Sequence, residues 1–181
     1  MKKLYGSASR KSLDLLSLLL TLNFGLCTLN SSAQVIAAGN YYSIALCPDS
    51  IVWAWGSNFR GELGDNTTIG KHTPVLVFGL TGIIGVAAGV RHSLAVKKDG
   101  TAWVWGYNAY GQLGDNTTVE KHTPVQVSGL TGITTIAGGQ QHSLAVRNDG
   151  TAWAWGDNSQ GQIGAGLAQT ILRGLIRIRN Y

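Results

Sequence analysis

A long stretch of this chain recurs almost unchanged fifty residues further on. Gly64-Asp65-Asn66-Thr67-Thr68 returns as Gly114 to Thr118, Lys71-His72-Thr73-Pro74-Val75 as Lys121 to Val125, and Gly79-Leu80-Thr81-Gly82-Ile83 as Gly129 to Ile133. His92-Ser93-Leu94-Ala95-Val96 returns as His142 to Val146, and the pair Trp53, Trp55 becomes Trp103, Trp105 and then Trp153, Trp155. A fixed period of this length marks one supersecondary unit that is copied and stacked. A residue present in every copy is therefore read first as a structural part.

In the second copy, Ser93–Val96 is a short apolar run. Lys97-Lys98-Asp99-Gly100 follows, with the Asp-Gly hairpin signal and positive φ expected at both turn positions. Thr101–Trp105 is the return strand, with Trp103 and Trp105 on one face and Ala102 and Val104 on the other. Gly106–Thr118 is a loop rich in Gly, Asn and Asp. Val125–Val127, after Pro124, is a third strand and Ile133–Ala137 a fourth. Four short antiparallel strands per period describe one β-propeller blade. The expected fold class is all-β, a partial β-propeller of about two and a half four-stranded blades. The blades fall at approximately 40–89, 90–139 and an incomplete 140–164.

The chain opens on a basic stretch, Met1–Ser12, followed by the apolar Leu13–Leu29 and the small residues Ser31-Ser32-Ala33. These are the three parts of a secretory signal, so residues 1–33 are read as a signal peptide cleaved after Ala33. The alternative is an uncleaved membrane anchor, against which Asp14, Asn23 and Gly25 count. Cleavage would place residues 34–164 in the cell envelope or medium, with membrane contact only through the leader. Of the two cysteines, Cys27 lies in the leader. Its loss would leave Cys47 as a neutral, partly exposed thiol with no metal-ligand spacing around it.

The formal charge of +5 suggests nucleic acid until its distribution is examined. Lys2, Lys3, Arg10 and Lys11 sit in the leader, and Arg173, Arg177 and Arg179 in the last residues. Between them, Arg60, Lys71, Arg91, Lys97, Lys98, Lys121 and Arg147 face Asp49, Glu62, Asp65, Asp99, Asp115, Glu120, Asp149 and Asp157. The repeats are electrically balanced and carry no basic stripe, so no nucleic-acid partner is expected.

Catalytic patterns are also missing from the sequence. His92 and His142 recur at one blade position, where Tyr42 stands in the first copy, and are read as making hydrogen bonds within a blade. His72 and His122 are read the same way. Asp65 and Asp115 lack the acidic neighbours of a calcium loop, and no nucleophile elbow or Walker loop occurs. No cofactor, metal or enzymatic activity is expected.

Ala88-Gly89-Val90-Arg91-His92-Ser93-Leu94-Ala95-Val96, then Asp99-Gly100-Thr101-Ala102-Trp103-Val104-Trp105-Gly106-Tyr107-Asn108, then Gly111-Gln112-Leu113-Gly114-Asp115, resembles the repeat of the regulator of chromosome condensation family. The match continues through Thr123-Pro124-Val125-Gln126-Val127 and covers roughly residues 35–164. The resemblance implies a seven-bladed propeller used as a binding platform, with members that act as a guanine-nucleotide exchange factor, within ubiquitin ligases, or as a secreted β-lactamase inhibitor. Exchange activity in that family depends on a protrusion from the propeller. The constant spacing of the copies leaves no room for one.

The pattern lapses near the end. Val35–Ala38 aligns with Gly85–Ala88 and reads as the last strand of a preceding blade. After Gly161-Gln162-Ile163-Gly164 the Asp-Asn-Thr-Thr and Thr-Pro-Val elements do not return, leaving 165–181 as an atypical tail that should not pack as a native blade. So few blades cannot close a ring, and the end faces would expose apolar surface. Three arrangements would account for this: a piece of a longer or frame-shifted gene, several copies in one ring as a homo-oligomer, or a short arc capped by a strand from Leu175-Ile176-Arg177-Ile178-Arg179.

The function expected is that of a non-catalytic, exported interaction module for a protein partner of unspecified identity. The alternatives are an exchange-factor-like regulator of a small GTPase and a secreted enzyme inhibitor. The loops Ser57–Gly61, Tyr107–Gly111 and Asp157–Gly161 differ between copies while their flanks do not, and variable loops on a fixed scaffold carry specificity. Within them Phe59, Arg60, Tyr107 and Tyr110 are the residue types favoured at binding hot spots, and are the candidate partner-binding residues.

Overall fold

The computed structural model describes residues 35–164 and 172–178, with the side chains of 172–174 excepted. The leader read over residues 1–33 lies outside this range. Twelve strands form three four-stranded antiparallel sheets among the described residues. The first sheet holds β1 (Val35–Ala38), β2 (Tyr42–Leu46), β3 (Val52–Gly56) and β4 (Lys71–Leu76) in chain order. The second holds β5 (Ile83–Ala88), β6 (His92–Lys97), β7 (Ala102–Gly106) and β8 (Lys121–Gln126). The third holds β9 (Ile133–Gly138), β10 (His142–Arg147), β11 (Ala152–Gly156) and β12 (Leu172–Arg177). β1, β5 and β9 lie beside one another, so the sheets radiate from a common axis with β4, β8 and β12 outermost. The structure is an arc of propeller blades.

Sequence repeat and sheet are out of phase. Val35–Ala38 does not end a preceding blade; it pairs with β2, Ala38 opposite Ser43 and Val35 opposite Leu46. The physical cause is link length. Three residues separate β5 from β6, and the Gly89 amide donates to the His92 carbonyl at 2.8 Å, a tight hairpin. Six residues separate β4 from β5, enough to cross from the outer edge of one sheet to the inner edge of the next. The recurring Gly-Leu-Thr-Gly is that crossover, with Gly79 and Gly82 at φ 71 and 65. Leu130, its leucine in the second crossover, is buried in the core.

Two local expectations change as well. In the β6–β7 hairpin only Gly100 takes positive φ, at 79. Its amide donates to the Lys97 carbonyl at 2.9 Å, while Lys97 N–H bonds Thr101 at 2.9 Å, giving a three-residue loop with glycine at the left-handed position. Asp99 instead accepts from the Thr101 amide and hydroxyl at 2.9 and 2.6 Å. β8 starts at Lys121, not after Pro124, so the proline sits inside the strand. It is tolerated there because β8 pairs on one side only, and the missing N–H costs the ladder nothing. Cys47 is buried and disulfide-bonded, against the expectation of a partly exposed free thiol, because its side chain turns into the first sheet's core side.

The core lies between the sheets. Ile44, Leu46, Val52 and Ala54 of the first sheet meet Ala95 and Trp105 of the second, and Leu94, Val96, Ala102 and Val104 of the second meet Ala145 and Trp155 of the third. Each sheet thus turns a leucine side toward the next sheet and a tryptophan side toward the one before. Trp105 and Trp155 are fully buried, each contributing roughly 3 kcal/mol of apolar burial. Their indole N–H groups donate to the carbonyls of Glu62 and Gln112, both at 2.8 Å. The Ser93 and Ser143 hydroxyls donate to the same two carbonyls at 2.7 and 2.8 Å. Gly64 and Gly114 leave space for the indoles, since a Cβ there would stand 2.7 and 2.8 Å from the ring nitrogen.

The recurring histidine belongs to the same joint. His92 Nε2 lies 3.0 Å from Ser143 Oγ in the next sheet, and the Tyr42 hydroxyl donates to the His92 carbonyl at 2.5 Å. The bond therefore runs between blades and not within one. His122 likewise reaches the neighbouring sheet, its carbonyl accepting from the Asn66 amide at 3.0 Å, while His72 is exposed.

The tail supplies the fourth strand of the third sheet. Ala154 pairs with Ile176 and Gly156 with Leu172, where Ala54 pairs with Val75 and Gly56 with Lys71. The Ile178 amide donates to Ala152 at 2.9 Å, as Val77 does to Val52 and Val127 to Ala102. An unrelated sequence thus takes the register of β4 and β8. The apolar Ile176 and Ile178 alternate with Arg177 as an outer strand requires.

Candidate functional site

Antiparallel pairing puts the β1–β2, β5–β6 and β9–β10 links at the same end of the arc as the long loops after β3, β7 and β11, because Tyr42, His92 and His142 stand opposite Gly56, Gly106 and Gly156. That end carries all four candidate residues.

Each long loop hangs on a buried asparagine. Asn58 accepts from the Leu63 amide at 2.9 Å and donates to Asp65 Oδ1 and the Thr67 carbonyl, both at 3.0 Å. Asn108 repeats the set, with Leu113 at 3.0 Å and Asp115 and Thr117 at 3.1 Å. Asn66 and Asn116 take the left-handed conformation, both at φ 63, and turn the loop back toward β4 and β8. Lys71 and Lys121 sit 3.5 and 3.4 Å from Asp65 and Asp115. Burial opposes ionisation of both aspartates, but bonds from Thr67 and Thr117, from the asparagines and the lysine charges together hold them below the ordinary carboxylate range. The anchoring asparagines and aspartates of both loop platforms are hydrogen-bonded, whereas Gln112 Nε2 in the second loop is buried without a partner.

On this platform Arg60, Tyr107 and Tyr110 come together across the joint between the first two sheets. The Arg60 guanidinium stands 5.2 Å from the Tyr107 ring centroid, and Tyr107 meets Tyr110 edge-on at 6.4 Å. Arg60 Nη1 lies 3.3 Å from Glu120 Oε2. Phe59 makes no part of this cluster and projects into solvent, 81% exposed. Two shallow depressions flank Tyr107. One is lined by Asn40, Val90, Arg91, Gln140 and Gln141 with Tyr107, the other by Arg60, Glu120 and the start of the β7–β8 loop.

Glu120, Arg91 and Gln141 escape a reading of the sequence confined to those loops. A signal for them exists: position 120 is Gly70 one period earlier, and position 91 is Tyr41 in the first copy and Gln141 in the third. These positions vary as the named loops do. The nearest approach to a catalytic pair at this end, His92 with Ser143, is sealed between two sheets with both residues fully buried. Burial drives the His92 pKa down to about 3, helped by the charge of His142, so it stays neutral and inert as a base. Among the described residues no three His, Cys, Asp or Glu side chains group as metal ligands.

Three radial four-stranded sheets with a loop-bearing end define an arc of a β-propeller. Two models of the regulator of chromosome condensation (RCC1) repeat match the chain, one over residues 49–96 and 99–146, the other over 34–62, 83–112 and 133–162. The chain belongs to this repeat family. The two models cut the repeat at different phases, the second beginning, as the sheets do, on the strand before the tight hairpin.

Yeast RCC1 (Prp20), solved bound to Kap60, superposes with TM-score 0.71 at 24% identity over 80% of this chain and 36% of its own. Human WBSCR16 gives 0.70 at 23% over 80% and 38%. Prp20p from Saccharomyces cerevisiae, described with its binding to Gsp1p and histones, gives 0.70 at 25% over 80% and 38%. The chain spans under two fifths of these proteins, and the likeness establishes the fold. A comparison with curated proteins finds no match.

Proposed function

We propose that this chain is a non-catalytic, exported interaction module that presents the loop end of its arc to a protein partner. The observation that carries the reading is the cluster of Arg60, Tyr107 and Tyr110 on rigid, asparagine-anchored loops, with Phe59 projecting beside it. Arg and Tyr held in place before binding give contact area with little ordering cost. Glu120 neutralises Arg60, so the partner surface is aromatic and polar more than strongly charged. Export rests on the leader pattern of residues 1–33.

Affinity capture from envelope extracts tests the site. Wild type should retain a partner that the variant with Phe59, Arg60, Tyr107 and Tyr110 all changed to Ala loses, from a mature protein that begins near Gln34. Identical binders from both proteins would remove the site assignment, and an uncleaved cytoplasmic protein would remove export. The second reading, exchange on a small GTPase, draws on the likeness to Prp20p, whose binding to Gsp1p is described. Accelerated nucleotide release by the purified chain would favour it over the first. The inhibitor reading differs only in what the loop end covers.

A further inference from the structure

We propose that the depression where the β1–β2, β5–β6 and β9–β10 links meet receives one carboxylate, the side chain of an aspartate or glutamate on the protein partner, with Arg91 as its counter-charge. This deepens the reading of the loop end and rests on it for the partner. The depression measures about 310 Å³, near the lower limit of about 300 Å³ for ligand clefts, which suits a side chain better than a large molecule. Its walls are Asn40 of the first link, Val90 and Arg91 of the second, Gln140 and Gln141 of the third, and Tyr107. Backbone bonds lace the links together. The Asn40 amide donates to the Val90 carbonyl at 3.2 Å, and the Val90 amide to the Gly139 carbonyl at 3.1 Å. Arg91 and Tyr107 belong to the middle sheet, which has a neighbour on each side.

An uncompensated charge sets this depression apart. Arg60, Lys71, Lys121 and Arg147 each stand 3.3–3.5 Å from a carboxylate, and Lys97 lies 4.6 Å from the Trp103 ring centroid. Arg91 is exposed and has neither kind of partner among the described residues; within the repeats it shares this only with Lys98, in a hairpin turn at the other end. Glu62 is the acid that feels the Arg91 charge, but its carboxylate is buried, accepts from the Arg60 amide at 2.8 Å and forms no ion pair with Arg91. The side-chain amides of Asn40, Gln140 and Gln141 make no hydrogen bond among the described residues either, so their N–H groups are open to an acceptor. One guanidinium among neutral donors matches a group of single negative charge, held by charge-assisted bonds from a planar fork. A phosphate ester, at about −1.5 to −2, would keep uncompensated charge there. Tyr107 is both a wall of the depression and the ring beneath Arg60, so a chain lying across the aromatic cluster meets the depression at its next side chain.

Nuclear magnetic resonance titration of the isotope-labelled full-length chain tests this without a partner. The probe is N-acetylglutamic acid α-amide, whose only charge is the side-chain carboxylate, and N-acetylglutamine α-amide is its neutral control. The acid should shift the Arg91 Nε–H and Gln141 side-chain signals saturably, with a Kd of about 1–10 mM, and the neutral compound should not. Arg91→Gln places in the second copy the residue that Gln141 places in the third, so the fold should hold while affinity falls about ten-fold or more. Lys98→Gln removes a like charge at the hairpin end and should leave the titration unchanged. No saturable shift, equal shifts from both compounds, an affinity unaltered by Arg91→Gln, or tighter binding of inorganic phosphate would overturn the proposal. Tighter binding of N-acetylglutamine, through its free α-carboxylate, would overturn the side-chain assignment in favour of a chain terminus. Glutamate binding here, with the partner still captured by the four-alanine variant, would overturn only the cluster; the reverse would overturn only this inference.

Discussion

At the scale of single residues, the joint between sheets explains why a histidine recurs without catalysing anything. His92 is enclosed by Ser143, the Tyr42 hydroxyl and Gly89, where a Cβ would collide with its ring. Its folded pKa of about 3 lies below the unfolded value near 6.5, so the stability it contributes is complete above about 6.5 and is lost as pH falls toward 3. Between pH 6.5 and 5 this group alone should remove about 2 kcal/mol. His92→Tyr places at this joint the residue that Tyr42 places at the first one. Denaturant unfolding at the two pH values should show most of that loss abolished, with a smaller part remaining from His142, which burial also depresses. An equal loss in both proteins would show that His92 does not titrate in the joint. Glu62 works in the opposite sense. Burial raises its pKa although Arg60 donates its amide to the carboxylate, so its charge opposes the fold once pH rises above its unfolded range. Gln112 and Gln162 hold the same loop position without that opposition.

At the scale of elements, much is legible because the period aligns equivalent positions. Trp103 and Trp105 show by spacing which face they share, Gly100 marks its hairpin, and four strands per copy follow from counting apolar runs. The phase of the blade is not legible from the likeness of Val35–Ala38 to Gly85–Ala88; it needs the three-residue link weighed against the six-residue one. Nothing in a single repeat says what lies across the joint, so His92 reads as an intra-blade residue until the next sheet is in view. The tail lacks the Pro-led motif and on that ground reads as unable to pack. An outer strand, however, needs only alternation and a free edge to pair with, and β12 supplies both. Its register makes Leu175 the counterpart of Pro74 and Pro124. Leu175 also packs against the core between the second and third sheets, so Leu175→Pro should cost about 1 kcal/mol of lost apolar contact in thermal unfolding but no ladder hydrogen bond. A loss of about 3 kcal/mol or more, as for proline in a regular hydrogen-bonded segment, would mean that β12 does not occupy this register.

At the scale of the whole molecule, the fold separates three kinds of surface. The faces between sheets hold the apolar core, the hairpin end keeps Asp-Gly-Thr in two of its three hairpins and Gly-Leu-Thr-Gly in both crossovers, and the loop end varies. Of the candidate residues, the sequence shows which loops vary. It does not show that Arg60 and Tyr107 meet across a joint, because that contact spans two copies, nor that Phe59 stands apart from them. The central claim is that the loop end binds a protein. Two exposed phenylalanines test it, Phe59 at that end with 81% exposure and Phe78 after β4, at the hairpin end, with 63%. A photo-crosslinking amino acid placed at position 59, and in a separate protein at position 78, should give a covalent adduct with a foreign protein in cells from position 59 only. Adducts from position 78 alone, or the same adducts from both, would contradict the account.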